Sequence, residues 1–123
     1  MSELAEQLKA RSMKFALSVC KLIKSLPRDE PGPTVRRQLA KSATSIAFNY
    51  RAACRARSHD EFTSKMGTVA EESDETLGWL EFIDDARLMV SPVPASLIAE
   101  SRELVAIFSA TYGTARMNKN AAG

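Results

Sequence analysis

Few side chains in this sequence have the means to do chemistry. His59 is the only histidine, and Cys20 and Cys54 are the only cysteines, in 123 residues. A carboxylate-bridged di-iron site in a helical protein needs a Glu-x-x-His pair on each of two helices. A thiol nucleophile needs a histidine beside it. One histidine next to a helix start meets neither requirement, and no glycine-rich phosphate loop is present. The carboxylates gather in one segment, with Glu61, Glu71, Glu72, Asp74, Glu75, Glu81, Asp84 and Asp85 within 25 positions of one another. Such a run reads as a solvated or subunit-facing surface rather than a cation site. No catalytic residue, metal or cofactor is expected, and the protein is not expected to be an enzyme.

The basic residues are better organised. Arg37, Lys41, Thr44, Phe48, Arg51 and Arg55 recur at helical spacing and form one stripe; Arg11, Lys14, Lys21 and Arg28 form another. Cations interleaved with an aromatic can follow a phosphate backbone while a base stacks on the ring. The same cations can instead face the acidic segment of a neighbouring copy, and a head-to-tail contact of that kind closes into a ring. The charge distribution fits either use: residues 1–57 hold twelve Lys or Arg against four Asp or Glu, whereas residues 58–100 hold two against ten. Tyr50, Trp79 and Phe82 lie beside the apolar seams, where they either anchor contacts between subunits or widen the core. Ser45 and Asn49 sit one turn apart, with Asn49 counted onto the seam. The expectation is a buried polar lock that fixes helix register, its partners being Ser73 and Thr76 on the adjacent seam or Glu72 and Glu75 flanking it.

Four amphipathic segments must position these groups. Glycine and proline are confined to a few places, and the apolar spacing between them is helical. Helix 1 is expected over about 3–26, with Leu4, Leu8, Phe15, Val19, Leu22 and Leu26 on one face, until LPRDEPGP breaks it. Helix 2 is expected over 33–57, opened by Pro33, with Val35, Leu39, Ser42, Ile46, Asn49 and Ala53 in alternating steps of four and three. Ser58 and Glu61 have capping-box spacing and begin helix 3 over 59–89. Helix 4 is expected over 94–116 after SPVP. Short connections make successive helices antiparallel, so the fold class is all-α: a single up-down-up-down four-helix bundle over 1–117, with a frayed tail at 118–123. The charged first residues lack a signal-peptide pattern, and no apolar run is long enough to span a bilayer. A cytoplasmic protein with reduced, buried cysteines and no membrane partner is expected.

The segment QLAKSATSIAFNYRAACRARSHDEFTSKM, followed by EESDETLGWLEFI, resembles the 23S rRNA intervening-sequence protein family of small bacterial four-helix bundles. Ser42, Ser45, Ile46, Asn49, Tyr50, Arg51, Arg55, Ser58, Phe62, Glu72, Glu75, Trp79 and Leu80 fall in the family's order and spacing. Two positions depart: Ala52 stands where relatives commonly carry Glu, and Phe48 where they carry a small residue. The resemblance implies a ring-like homopentamer. It also implies, from a related branch that accompanies retroelement reverse transcriptases, a basic surface that engages nucleic acid. RNA, or a nucleic-acid-bound protein, is therefore an expected partner besides the chain itself. No enzymatic activity comes with the resemblance.

Overall fold

A computed structural model of the chain describes residues 2–122, with side chains as far as residue 118. It contains α1 (Glu3–Leu22), a short 3₁₀ turn (Ile23–Ser25), α2 (Gly32–Cys54), α3 (His59–Asp85) and α4 (Ala95–Ala122). These four helices form the expected antiparallel bundle. The pairs α2–α3, α3–α4 and α1–α2 pack extensively, and of the neighbouring pairs α1 and α4 touch least. No helix among the described residues is long and apolar enough to cross a membrane.

The helix starts follow from local chemistry. Ser2 accepts from Ala5 N at 3.1 Å and opens α1, and Ser58 accepts from Glu61 N at 3.0 Å and opens α3, each satisfying an orphan donor of the first turn. The Glu61 carboxylate reaches one residue further back than a capping box requires, accepting from Arg57 N at 3.3 Å. Pro33 lies in the first turn of α2, and the Glu30 carboxylate accepts from Thr34 N at 3.0 Å. That hydrogen bond to the charged form holds the Glu30 carboxyl below its ordinary value.

The ends of helices differ more from expectation. α2 stops at Cys54 and α3 at Asp85, short of the expected 57 and 89. α4 instead continues to Ala122, so the tail expected over 118–123 is helical that far, and residue 123 lies outside the described residues. α3 closes with Leu88 N donating to Ile83 O at 3.0 Å and Arg87 N to Asp84 O at 3.1 Å. This Schellman pattern requires a left-handed residue, usually glycine, and Arg87 occupies it at φ 52°. Replacing Arg87 with Gly removes the Cβ penalty of that conformation. The expected result is a gain of about 0.5–1 kcal/mol, read as a higher denaturant midpoint with an unchanged slope.

The core is continuous through all four helices. Phe108, Leu39, Ile46, Met66, Leu80, Ile83, Leu104, Val19, Val35 and Val69 are fully buried. In α1 the buried positions are Leu8, Ser12, Phe15, Ala16 and Val19, a face centred away from Leu4 and Leu22. Leu4 is consequently 64% exposed, contrary to its expected place in the core, and Leu22 only half-buried. Neither cysteine is bonded, and each is half-buried rather than fully buried.

Candidate nucleic-acid interface

The seam of α2 decides which side chains remain available to a partner. Counting in steps of four and three assumes 3.5 residues per turn, whereas a straight helix has 3.6 and drifts about 20° per heptad. By the fourth turn of α2 the drift brings Tyr50 inward and leaves Asn49 at the edge. Tyr50 is buried, its ring 5.1 Å from that of Phe108 on α4. Burial is the main cause of its hydroxyl being pushed above its ordinary pKa, and Cys54 adds to it. Tyr50 is therefore a core residue and not an exposed subunit anchor.

Asn49, half-buried, donates from Nδ2 to Ser45 O of its own helix at 2.9 Å. Ser73 is buried but donates to Ala70 O at 2.8 Å, and Glu75 is exposed. Ser45, Asn49, Ser73 and Glu75 thus do not join into the expected lock. The interhelical polar contact is one turn away, where Ser42 and Thr76, both fully buried, meet Oγ to Oγ1 at 2.8 Å. Ser42 Oγ also lies 3.2 Å from Leu39 O, and Thr76 Oγ1 2.8 Å from Glu72 O. Two hydroxyl protons make two of these three contacts at a time, and both hydroxyls find their partners inside the α2–α3 seam. Two small polar residues directly opposed in an antiparallel pair were the available sequence signal.

On the opposite face of α2, Arg37, Lys41, Phe48, Arg51 and Arg55 are all exposed. Phe48 retains 59% exposure. Among the described residues, no ion pair involves Lys41, Arg51 or Arg55, and Arg37 makes only a 3.5 Å contact with Thr34 Oγ1. Glu30 acts on Arg37 through its charge. Lys41 acts on Glu72, whose carboxyl is pushed above its ordinary value by burial first and by Glu75 second, with Lys41 opposing. Arg51 and Arg55 make no ion pair and no side-chain hydrogen bond among the described residues.

The α1 stripe is placed differently. Arg11 donates from Nε and Nη2 to Glu100 of α4 in a fork at 3.1 and 2.7 Å, with Glu103 at 3.2 Å. Arg11 is thereby used within the chain. Lys14 and Lys21 are exposed and line a groove of about 700 Å³ between α1 and α4, over Phe15, Leu22 and Leu97. Arg11, Lys14 and Lys21 thus lie at the α1–α4 groove, whereas Arg37, Lys41, Phe48, Arg51 and Arg55 are exposed along α2, with half-buried Thr44 between Lys41 and Phe48 donating to Ala40 O at 2.7 Å.

Trp79 is half-buried and packs edge-on against Phe82 at 5.6 Å, and Phe82 is 42% exposed. His59 lies with Nε2 2.9 Å from Ala115 O, joining the start of α3 to α4. Two further ties depend on residues distant in sequence and were not legible there. Arg36 donates to Ile23 O and Leu26 O at 3.3 and 3.1 Å, closing the end of the 3₁₀ turn, and Asp84 Oδ1 accepts from Val93 N at 2.7 Å.

A family model described as 23S rRNA-intervening sequence protein matches residues 6–110. Among solved structures, the chain is similar to the crystal structure of a protein of unknown function from the S23 ribosomal protein family of Bacteroides thetaiotaomicron. That similarity has a TM-score of 0.75 at 25% identity, covering 89% of this chain and 97% of that one. No curated protein matches the chain.

Proposed function

The chain belongs to the 23S rRNA-intervening sequence protein family, and from that membership we propose a non-catalytic bundle that binds RNA through the exposed face of α2. The observation that carries this reading is the row Arg37, Lys41, Arg51 and Arg55, exposed on one helix face with Phe48 among them. Lys41, Arg51 and Arg55 have no partner carboxylate within ion-pair distance among the described residues. Cations left unpaired by their own chain are available to neutralise phosphates.

Each neutralised phosphate releases counterions, so affinity falls with salt by about 0.7 log unit per contact for a single strand. If all four cations engage, labelled ribosomal RNA fragments should bind with a slope of about −3 in a plot of log affinity against log salt. Arg51→Ala with Arg55→Ala should roughly halve that slope and weaken binding at low salt by tenfold or more. Unchanged affinity and slope in the double variant would remove the basis of the proposal.

A second reading is self-assembly, in which this stripe meets the acidic face of α3 on another copy. Exposed Glu71, Asp74, Glu75, Glu81 and Asp85 beside the exposed Phe82 favour it. It predicts that the same double variant changes the mass seen by light scattering without RNA, with the pentamer implied by the family as the expected parent.

A further inference from the structure

Phe48 is one of the few large apolar side chains that the fold leaves uncovered, at 59% exposure, and it stands inside the basic stripe rather than apart from it. At 100° per residue, Arg37, Lys41, Phe48 and Arg51 fall within about a quarter of the circumference of α2, along roughly 21 Å of axis at 1.5 Å per residue, and Arg55 continues the row as the C-cap of the helix. Lys41 lies two turns before the ring on the same face, and Arg51 and Arg55 lie one and two turns after it. An exposed phenyl flanked in line by cations is a platform on which a base can stack while its phosphates follow the stripe. That platform is of use only to a base free of its own stack. In an A-form duplex the bases are stacked on one another, and the deep, narrow major groove does not admit side chains to their edges.

We propose that the α2 face selects unpaired RNA, a loop, bulge or single-stranded end, by stacking one base on Phe48 between Lys41 and Arg51. This rests on the RNA-binding reading above and adds to it the strandedness of the target. Selectivity and affinity then have different sources. The cations supply the salt-dependent part, which paired RNA shares, and the phenyl ring supplies the preference for unpaired bases. A cation-only stripe would bind both forms according to charge density and would favour the duplex.

The test measures the anisotropy of two labelled oligoribonucleotides of equal phosphate number, an unstructured single strand and a fully paired hairpin closed by a non-nucleotide linker, with the full chain. The wild type should bind the single strand at least tenfold more tightly. Phe48→Ala should lower single-strand affinity about tenfold, within the range of one stacked base, while leaving the salt slope and the hairpin affinity unchanged; Phe48→Trp should preserve the preference. Because the side chain is mostly exposed, neither change removes core packing, and circular dichroism confirms folding. Equal binding of the two RNAs, or a Phe48→Ala variant that keeps the preference, overturns the inference while leaving the basic face as an RNA site. Absence of salt-dependent binding to either RNA overturns both. A change of mass in Phe48→Ala without RNA assigns the ring to a contact between copies and also overturns it.

Discussion

Phe108→Ala is expected to destabilise the protein by about 3–5 kcal/mol, the range for truncating a fully buried phenyl ring. Phe108 has no exposed surface and touches Tyr50 across the bundle, at 5.1 Å and 42° between rings. Two losses add there: the apolar transfer of the ring and the cavity left beside a tyrosine that cannot collapse into it without drawing its hydroxyl from its place beside Cys54. The melting midpoint should fall by roughly 10–20 °C. The Tyr50 hydroxyl gives an independent readout. Its raised pKa comes first from burial, so admitting water must lower it, and ultraviolet titration of the folded variant should show earlier ionisation of one tyrosine. A loss below about 1 kcal/mol, with no change in that titration, would mean that the Tyr50–Phe108 contact does not hold the core together.

The second large effect is expected at Gly32, the first residue of α2. A Cβ built there falls on the carbonyl oxygen of Pro27, 2.8 Å from its carbonyl carbon and 3.1 Å from its ring Cγ. The obstacle is mostly backbone, held in a turn where Gly32 N donates to Asp29 O at 2.9 Å, so it cannot move aside as a flexible side chain would. Gly32→Ala should therefore cost about 2–3 kcal/mol as an overpacking substitution. Gly78 is the control, because a Cβ there meets nothing within 4 Å. Gly78→Ala in the middle of α3 should instead stabilise by about 0.5–1 kcal/mol through reduced backbone freedom. Denaturant midpoints of the two variants should move in opposite directions, and movement in the same direction would contradict the close approach of α2 to Pro27.

These two sites mark how far local reasoning reaches. LPRDEPGP reads correctly as a helix break, yet nothing in its letters says that Gly32 rests on Pro27. Arg11 has helical spacing with Lys14, and only the position of α4 gives it Glu100 and Glu103. Arg87 has poor chemistry for a left-handed position, so the end of α3 carried no sequence signal, and the expected helix ran on to 89. On the α2 face, by contrast, Arg37, Lys41, Phe48, Arg51 and Arg55 were read together and are found together. A solvent-facing stripe depends only on the helical period over a few turns and needs no knowledge of a neighbour.

The number of helices, their order and their antiparallel arrangement, the start of α3 at Ser58 and the exposed basic row were legible in the residues alone. All of these follow from interactions within about four residues or from the distribution of apolar side chains along one helix. Helix packing decided that Tyr50 turns inward and Asn49 does not, that Ser42 and Thr76 form the polar contact, and that Arg11 is taken up by Glu100 and Glu103 of α4. Those outcomes depend on helix rotation and on which neighbour lies opposite. A drift of about 20° per heptad is too small to read over one turn and, over several, large enough to exchange adjacent residues between core and surface.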